Sequence, residues 1–250
     1  MAEYDWIEGR QPVMEFLKAG QPINKLLIAK GSRDRQLQRI VALAREQGVV
    51  VQEVDRAHLD KISATGRHQG VAAQAAAVAY AELEDLLAKA RDPEWPPFIL
   101  VLDGLEDPHN LGSLIRSAEA ARVDGVVIPK RRAVGVTPVV AKVSAGALSY
   151  VPVARVVNIP RALDQLKEAG FWVVGADMAG GICYEQDLTG PIALVVGGEG
   201  EGLSRLVKEK CDVLAQIPML GKINSLNAGV AGALLMFEVV RQRTQNRLRT

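Results

Sequence analysis

Several features that would assign this chain to a common protein class are scarce in its sequence. It has only two cysteines, Cys183 and Cys211, too few for a disulfide scaffold, and its three histidines lie far apart, so a compact zinc site is not expected. The longest stretch without a charged residue, 223–237, covers 15 positions and contains polar side chains, whereas a membrane span needs about 20 apolar residues. The N-terminus is acidic where a secretory signal would be basic, and we expect a cytoplasmic protein.

The chain also has almost no net charge and few aromatic side chains. The 30 Lys and Arg against 29 Asp and Glu leave a formal charge of +1, so any nucleic-acid binding would have to come from local patches. One cationic patch is the run 130–132, and the other consists of Lys30, Arg33, Arg35, Arg39 and Arg45. The alternative interpretation of each patch is that its side chains are solvated and bind no nucleic acid. Because only 4% of the residues are aromatic, recognition would rest on backbone and shape more than on base stacking.

What the sequence does contain is a series of short apolar segments separated by helical ones. This pattern is typical of βαβ units and a mostly parallel sheet, and it predicts the α/β class. A first domain is predicted at 1–78, with helices at 12–19 and through 37–44 and strands at 25–29, 49–54 and 71–77. Acidic residues and three prolines over 79–97 predict a short polar helix and a linker.

The second predicted domain, 98–250, contains six strands with intervening helices and is expected to form a doubly wound sheet. The strands are predicted near 98–102, 125–128, 151–154, 171–175, 192–196 and 213–217. Ligands of such sheets bind at the carboxyl ends of the strands. The loops after Leu102, Val196 and Ile217 are therefore the candidate site.

The first of these loops leads into a helix that carries an arginine between small residues. Asn110 stands where an N-cap is expected, and capping alone would account for it. Gly112, Arg116 and Ala120 share one stripe of the helix, where small residues let a ligand or a second chain approach closely. Arginine is costly to bury unless it meets an anion or a carboxylate, so Arg116 is a candidate for anion binding, with plain helix packing as the alternative.

The second loop, within 194–203, places four glycines and two glutamates between a strand and a helix. A Walker phosphate loop would have lysine where Leu203 stands, and the glycine spacing does not match a dinucleotide-binding fingerprint. Two carboxylates would also repel a phosphate. The loop favours a cationic or hydrogen-bond-donating ligand, and an ordinary glycine-rich turn is the alternative.

The third loop, 217–227, precedes a long apolar helix predicted at 228–240. Asn224, Ser225 and Asn227 cluster at the N-terminal, anion-attracting end of that helix, where one of them would suffice as a cap. The arginines at 241, 243, 247 and 249 follow the predicted helix, and the pattern indicates a solvated tail.

Taken together, the three loops resemble the signature of the SpoU/TrmH family, the SPOUT-type RNA ribose 2′-O-methyltransferases. The order and spacing of three motifs carry the resemblance. They are Asn110-x-Gly112-x-x-x-Arg116, the run 196–202 with Glu199, and the segment from Ile217-Pro-Met to Ser225-Leu-Asn227. One departure is Ala228-Gly229 after Asn227, where relatives commonly carry Val-Ser and so have one hydroxyl more.

The N-terminal part resembles the small, ribosomal-protein-L30e-like substrate-binding domain of the subgroup that methylates a guanosine of 23S rRNA. The segments 9–13 and 68–71 carry this second resemblance. The family implies a trefoil knot in the C-terminal domain and a homodimer whose active site is completed across the interface. It also implies that S-adenosylmethionine is the cofactor, with Gly197, Ile217 and Leu226 contacting it largely through the backbone.

The implied chemistry is the in-line attack of a ribose 2′-hydroxyl on the methyl group of a sulfonium. The resemblance implies that Arg116 is a catalytic residue. Because a guanidinium stays protonated, we expect Arg116 to bind an adjacent RNA phosphate and stabilise the developing alkoxide. Asn110, Ser225 and Asn227 would fix this arginine and the ribose, and Glu199 would accept hydrogen bonds from Asn or Arg side chains.

Three functions stay open at this point. The first is methylation of a 23S rRNA guanosine, the second is the same chemistry on tRNA, and the third is RNA binding without catalysis. The small N-terminal domain favours rRNA over tRNA, and the intact motif residues favour an enzyme. An NAD- or FAD-dependent oxidoreductase is disfavoured, because its fingerprint is missing.

Overall fold

A computed structural model of the protein describes residues 6–31, 34–63, 65–89, 95–222 and 225–248. Contacts between residues divide the chain into two compact units. The first unit comprises Met1–Ala79 and Gly135–Val139, and the second comprises Tyr80–Val134 and Val140–Thr250. The segment 135–139 thus groups with the first unit although it lies far along the sequence, which the sequence pattern did not predict.

The first unit is a small mixed sheet with helices. Its elements are β1 (Trp6–Glu8), α1 (Arg10–Lys18), β2 (Ile23–Ala29), α2 (Arg35–Glu46), β3 (Val50–Val54), α3 (Arg56–Ile62) and β4 (Val71–Ala75). The strand order is β1-β4-β2-β3, with β2 and β3 parallel and β4 antiparallel to both of its neighbours. The predicted helices and strands are confirmed. The sequence did not predict β1 and α3, because both are too short to show a clear period.

Buried apolar side chains and one buried amide hold this unit together. The apolar face of α2 packs Leu37, Ile40 and Ala44 into the core, at the spacing that predicted the helix. Asn24 is 2% exposed, and its Nδ2 donates to the carbonyl oxygens of Ala75 at 3.0 Å and Val136 at 3.2 Å. These bonds satisfy an otherwise costly buried amide and fix the segment around Val136.

The second unit is built on a parallel sheet. Its elements are α4 (Leu83–Lys89), β5 (Phe98–Asp103), α5 (Pro108–Ala120), β6 (Gly125–Pro129), α6 (Pro138–Val143, beginning in the first unit), β7 (Val153–Val156), α7 (Ile159–Glu168), β8 (Trp172–Ile182), β9 (Ile192–Gly197), α8 (Arg205–Lys210), β10 (Val213–Gln216) and α9 (Ala228–Arg247). The six strands lie in the order β10-β8-β9-β5-β6-β7, and all neighbours are parallel. The six predicted strands and the α/β class are therefore confirmed.

The central strand β5 is apolar throughout because both of its faces are covered. Residues 98–102 are all fully buried, as expected for a strand in the middle of a parallel sheet. At its amino side, the segment predicted as a short polar helix and a linker contributes α4, which confirms the helix. Leu83 and Leu86 of α4 are buried in the core of the second unit. Residues 90–94 of that segment lie outside the described residues.

One strand is longer than predicted and leaves the regular ladder. Gly175 of β8 pairs with Leu214 of β10, but the next residue, Ala215, pairs with Gly181. The five intervening residues, 176–180, therefore bulge out of the register at the carboxyl end of β10. Glycine permits this, because a Cβ on Gly180 would lie 2.2 Å from the carbonyl carbon of Leu214.

The interpretation of the C-terminal arginines as a solvated tail is wrong for Arg243. Helix α9 continues to Arg247, and Arg243 is only 3% exposed. Its Nη2 donates to the carbonyl oxygens of Pro97 at 3.2 Å and Gly190 at 2.7 Å, and burial lowers its pKa to about 10. The helical period places position 243 on the same face as buried Val239, so the core reaches further along the helix than the apolar run does. Arg249 lies outside the described residues.

We expect Arg243→Ala to lower the free energy of unfolding by about 3 kcal/mol, because it creates a cavity and removes the donor to the Gly190 carbonyl. Arg205→Ala on α8 is the control. Arg205 is exposed and pairs with Glu209 at 2.8 Å, an interaction worth about 1 kcal/mol or less. Urea denaturation of both variants measures the difference. Equal losses would contradict a special role for the buried guanidinium.

Candidate active site

The three predicted loops meet at the carboxyl edge of the parallel sheet. The second and third loops border a cavity of about 620 Å³, whose lining comes from four segments of the second unit: 176–178, 196–202, 215–219 and 225–235. The first loop does not line this cavity. Of the four segments, the last three contain the second and third motifs. The first segment is the bulge in β8, which the sequence analysis missed because a bulge is a property of strand register and has no local signal beyond its flanking glycines.

Most of the predicted site residues line this cavity. Gly197, Ile217 and Leu226 do so, and so do Glu199, Ser225 and Asn227. Asn110 reaches the site through a hydrogen bond, and Arg116 does not line the cavity. The structure thus brings together residues that are more than 100 positions apart in sequence.

Asn110 is not the N-cap that its position suggested. Helix α5 begins two residues earlier, at Pro108, and Asp107 caps it by accepting a hydrogen bond from the backbone N–H of His109 at 2.9 Å. Proline suits the first helical position, because its missing N–H is not needed there. The Asn110 side chain is therefore free for another partner.

That partner is Glu199 of the second loop. Asn110 is 8% exposed, and its Nδ2 donates a hydrogen bond to Oε1 of Glu199. A charge-assisted bond at a part-buried position fixes both side chains more firmly than a neutral one would. It couples the start of α5 to the loop after β9 and leaves the amide oxygen of Asn110 available.

The second loop is a tight turn, here called the glycine turn (residues 198–202). Gly198 and Gly202 form a backbone bridge, with the N–H of Gly202 donating to the carbonyl of Gly198 at 3.3 Å. Gly200 and Gly202 have φ values of +88° and +68°, which L side chains rarely adopt. The turn also bonds to the loop after β5, because the N–H of Gly198 donates to the carbonyl of Asp103 at 2.9 Å.

The third loop ends in a helix cap. Asn227 Oδ1 accepts hydrogen bonds from the backbone N–H groups of Gly229 at 2.9 Å and Val230 at 3.3 Å, which makes Asn227 the N-cap of α9. One of the three clustered polar side chains is therefore the expected cap. Ser225 is exposed at the cavity, and Asn224 lies outside the described residues.

Acidic side chains dominate the charge of the cavity. Asp177, Glu199 and Glu201 line it, and among the described lining residues there is no Lys or Arg. Burial opposes ionisation of Asp177, but hydrogen bonds from the Ala179 N–H and Lys208 outweigh it and hold the pKa of this carboxyl below its usual value. The cavity therefore favours a cationic ligand over a phosphate.

At Gly112, on the small-residue stripe of α5, the close neighbour is a helix of the same chain and not a ligand or a second chain. A Cβ on Gly112 would lie 2.6 Å from Cβ of Val143, so the close approach at this position is made by α6 of the same chain. Arg116, one turn further along α5, is exposed. Within the described part of the chain, its guanidinium has no hydrogen-bond or ion-pair partner.

Helices α5 and α9 cross at Gly229, the position where the sequence departs from the family pattern. A Cβ on Gly229 would lie 2.8 Å from Ser113 Oγ, 3.1 Å from Asn227 Oδ1 and 3.2 Å from Asn110 Oδ1. The crossing therefore has room for one hydroxymethyl group, and Ser113 of α5 supplies it. Sequence reasoning missed Ser113, because its role depends on a helix more than 100 residues away.

We expect Gly229→Ser to lower the rate constant of the methyl transfer that the resemblance implies about tenfold to a hundredfold. The reason is that the added side chain pushes Asn110 and Asn227 apart. Adding Ser113→Ala should restore most of the activity, since the hydroxyl is then moved from α5 to α9. Single-turnover rates of the two single variants and the double variant measure this coupling. Additive effects would show that the two positions do not share one space.

In the first unit, the segments that carry the second resemblance lie in contact. The backbone N–H of Arg10 donates to Gln69 Oε1, and Arg10 Nε donates to the Gln69 carbonyl, both at 3.2 Å. The N–H of Gly9 donates to the carbonyl of Val71, also at 3.2 Å. The two short sequence matches therefore form one local structure.

The cationic patch of this unit is smaller than its sequence suggested. Lys30 pairs with Asp55 at 3.2 Å, and Arg33 lies outside the described residues. Arg10 pairs with Asp34, whose pKa is lowered by hydrogen bonds from the backbone N–H groups of Leu37 and Gln36 at the start of α2. The exposed arginines 35, 39 and 45 keep their position on α2.

For the described residues, three other kinds of site come into question: a metal centre, a second groove and a membrane span. In the described ranges, no group of three or more His, Cys, Asp or Glu could hold a metal ion. A groove of about 740 Å³ lies at the amino ends of β8, β9 and β10, and none of the predicted site residues lines it. Of the helices that the structure describes, none has the length and apolar character needed to cross a membrane.

Two family models match the chain. A model described as the SpoU rRNA Methylase family matches residues 97–237, and one described as RNA 2′-O ribose methyltransferase substrate binding matches residues 6–81. A Bacillus subtilis relative, named as a TrmH family tRNA/rRNA methyltransferase YacO, is 50% identical over 242 residues, covering 96% of this chain and 97% of the relative. A relative of the same family name from Staphylococcus haemolyticus is 48% identical over 241 residues and covers 96% of each chain.

Solved structures resemble the chain, two of them over nearly its whole length. The SpoU methyltransferase AviRb from Streptomyces viridochromogenes, in complex with AdoMet, has a TM-score of 0.62 at 25% identity and covers 98% of this chain and 92% of its own. An AdoMet-bound rRNA methyltransferase from Sinorhizobium meliloti has a TM-score of 0.59 at 26% identity, covering 94% and 86%. A TrmH/SpoU tRNA modifying enzyme from A. aeolicus has a TM-score of 0.54 at 26% identity, covering 66% of this chain and 83% of its own.

Proposed function

Since the chain belongs to the SpoU/TrmH family of RNA methyltransferases, we propose that it transfers the methyl group of S-adenosylmethionine to the ribose 2′-hydroxyl of a guanosine in 23S rRNA. The observation that carries the proposal is the Asn110–Glu199 hydrogen bond, which joins the first and second motifs beside an acidic cavity. Methylation of tRNA by the same chemistry is the second candidate, because the names of the relatives include both RNA classes.

S-Adenosylmethionine is the cofactor, and the cavity fits it. A volume of about 620 Å³ suits a ligand of this size, and an acidic lining free of described cations suits its sulfonium and ammonium charges. We assign Gly197, Ile217 and Leu226 to cofactor binding, chiefly through backbone groups. When bound, the cofactor supplies an electrophilic methyl group.

The protein side of the reaction is binding and positioning. Asn110, held by Glu199, and Asn227, fixed as the cap of α9, orient the ribose and Arg116, and Ser225 adds a hydroxyl at the cavity mouth. Arg116 binds the neighbouring RNA phosphate and stabilises the negative charge that develops on the 2′-oxygen. It does not act as the base, because a guanidinium stays protonated in proteins.

The site as proposed needs a second copy of the chain. Arg116 does not line the cavity of its own chain, so a partner's arginine would have to complete the site. A candidate contact surface is the exposed apolar face of α9, where Val230, Leu234 and Phe237 are 49%, 49% and 46% exposed at helical spacing. We therefore propose a homodimer.

Subunit complementation tests the shared site. Arg116→Ala and Gly197→Ala variants, each inactive alone, should regain up to about a quarter of the wild-type activity when mixed and reassociated, because about half of the molecules become heterodimers with one intact site. Light scattering of each protein checks that it is dimeric. A mixture that stays inactive despite heterodimer formation would contradict completion of the site by the second chain.

We retain three domains as part of the proposal: 1–78 for RNA binding, 79–97 as the linker, and 98–250 for methyl transfer with a trefoil knot. The match of the substrate-binding model to residues 6–81 supports the first. A purified fragment 98–250 that binds S-adenosylmethionine but no longer methylates RNA would agree with this division. The proposed location is the cytoplasm, where rRNA and tRNA are modified.

The decisive experiment is transfer of labelled methyl from S-adenosylmethionine to unmodified 23S rRNA and, separately, to unmodified tRNA, with Arg116→Ala as the control. Label on the 2′-oxygen of a 23S guanosine that vanishes in the variant would agree with the main proposal. Label on tRNA alone would establish the second candidate. Cofactor binding without label on either RNA would exclude both as free substrates, and failure to bind cofactor would indicate an RNA-binding protein without catalysis.

A further inference from the structure

Two groups of cations in the second unit differ in their partners, while Arg122, Arg155, Arg243 and Arg247 lie over aromatic rings of this unit. The first group is neutralised within the chain by carboxylates on α7, α8, β8 and α9 and just before β10. These pairs are Lys167–Asp212, Arg205–Glu209, Lys208–Asp177, Lys210–Asp164 and Arg241–Glu238, at 2.7 to 2.9 Å. Paired cations such as these are poor ligands for an external phosphate, because their carboxylate partners repel it.

The second group has no such partner in the part of the chain that the structure describes. Its members are Arg116 on α5, Lys142 on α6, Lys130, Arg131 and Arg132 after β6, Arg161 at the start of α7, and Lys222 after β10. Five of these seven lie at the carboxyl ends of strands, the edge of the sheet that carries the candidate active site. These cations are therefore concentrated at the same edge of the sheet as the site, although the formal charge of the whole chain is only +1.

Residues 130–132, here called the basic loop, hold the largest share of this charge in the smallest space. The amino end of the loop is fixed at Lys130. The N–H of Lys130 donates to the carbonyl of Val156 at 2.8 Å, and Arg155 Nη2 donates to the carbonyl of Lys130 at 2.9 Å. Arg132 has a φ of +54°, a strained conformation for a residue with a side chain, and Arg131 and Arg132 are exposed.

The basic loop lies next to the loop that leads into α5. The N–H of Val134 donates to the carbonyl of Leu105 at 2.8 Å, and the loop around Leu105 is bonded on its other side to the glycine turn through Gly198 and Asp103. Along the edge of the sheet, the order is therefore glycine turn, loop 103–107, basic loop. The basic loop and the cofactor cavity flank the segment that carries Asn110.

We propose that the basic loop binds backbone phosphates of the substrate RNA next to the methylated nucleotide, on the β6 side of the site. The proposal rests on the proposed RNA methyltransferase function and adds the surface along which the RNA strand lies. Three adjacent cations match a polyanion better than a single small anion, which one of them would satisfy. The neighbouring loop 103–107 carries three carboxylates. Glu106 is exposed, whereas Asp103 and Asp107 are half-buried and accept hydrogen bonds from the backbone N–H groups of Ser204 and His109.

Contacts between the basic loop and RNA phosphates would position the strand without recognising its sequence. Contacts to phosphates fix register and orientation, while base identity is read elsewhere. The basic loop should therefore raise the affinity for rRNA and tRNA transcripts alike. Its contribution should weaken steeply as salt is added, because each contact releases counterions from the RNA.

The test is the double variant Arg131→Gln/Arg132→Gln in the full-length protein. Binding of an unmodified 23S rRNA transcript is measured by fluorescence anisotropy over a range of salt concentrations. We expect the affinity at 0.1 M salt to fall about tenfold or more, and the slope of log K against log salt to decrease by about 1.4 to 1.8 for two lost phosphate contacts. The affinity for S-adenosylmethionine, measured by calorimetry, should not change.

The matched control is Arg205→Gln/Lys210→Gln, which removes the same charge from two surface ion pairs on α8. This control should leave the slope within experimental error of the wild type. Equal losses in both double variants would overturn the proposal, because they would mean that only the total charge matters. An unchanged slope in the basic-loop variant would overturn it as well.

Measuring RNA binding and methyl transfer separately distinguishes a failure of the basic-loop proposal from a failure of the proposed function. If the wild-type protein binds RNA through the basic loop but transfers no methyl group, the surface stands and the proposed function fails. If methyl transfer occurs and the basic-loop variant raises KM for RNA about tenfold with an unchanged kcat, both stand. If the variant lowers kcat at saturating RNA and leaves KM unchanged, the loop does not bind phosphate and the proposal is wrong.

Discussion

Replacement of Arg116 by alanine is expected to lower the rate of methyl transfer about 10³-fold and to leave the affinity for S-adenosylmethionine unchanged. The guanidinium is exposed, and among the described residues it has no carboxylate partner, so its charge is available to a phosphate and to the developing alkoxide. Because it does not line the cofactor cavity, its loss should not alter cofactor binding. Single-turnover methylation and calorimetry measure the two quantities.

Two further variants define what the guanidinium contributes. Arg116→Lys keeps the charge but loses the planar fork that binds a phosphate through two parallel hydrogen bonds, so we expect less than about a tenth of the wild-type activity. Nearly full activity of this variant would exclude a bidentate role. Arg205→Ala removes an exposed arginine that pairs with Glu209 on α8 and should retain full activity.

The second large effect is expected from Gly197→Ala, at the end of β9. A Cβ at this position would lie 2.1 Å from the carbonyl carbon of Gly202, 2.2 Å from its oxygen and 2.4 Å from the nitrogen of Leu203. All three atoms belong to the backbone, so no side-chain rotation relieves the clash. The glycine turn has to move, and we expect the affinity for S-adenosylmethionine to fall at least about a hundredfold with a loss of stability of about 3 kcal/mol.

Gly221→Ala is the matched control for this substitution. Gly221 lies in the third loop, has no neighbour within 4 Å of its Cβ position and does not have a positive φ. Calorimetric titration and thermal unfolding of both variants give the comparison. If Gly197→Ala binds the cofactor as tightly as Gly221→Ala does, the glycine turn is not part of the cofactor site.

The sequence predicted the framework of the second unit well, because its central strands β5, β6 and β9 are buried on both faces. A continuous apolar run such as 98–102 is the expected pattern for the centre of a parallel sheet, and each of the six runs corresponds to an observed strand. The same reasoning located the site, since parallel strands end at the same edge. Loops that are unusual after three different strands must then lie close together.

Helix boundaries and individual side-chain roles were less predictable. Asn110 looked like a cap because polar residues precede the helix, but Asp107 and Pro108 start it two residues earlier. The arginines after the apolar run looked solvated, yet Arg243 is buried against carbonyl groups more than 50 positions away. In both cases the outcome depended on a partner that local sequence does not contain.

By itself, the sequence determined the class of fold, the edge of the sheet that carries the candidate site and the family to which the chain belongs. Each of these follows from a local period or from motifs of fixed order and spacing. Only the tertiary structure decided that Asn110 meets Glu199, that residues 176–178 of the β8 bulge line the cavity and that Gly229 leaves room for Ser113. Such contacts arise from strand register and helix packing, which join residues distant in sequence, and local composition carries no record of the distance between them.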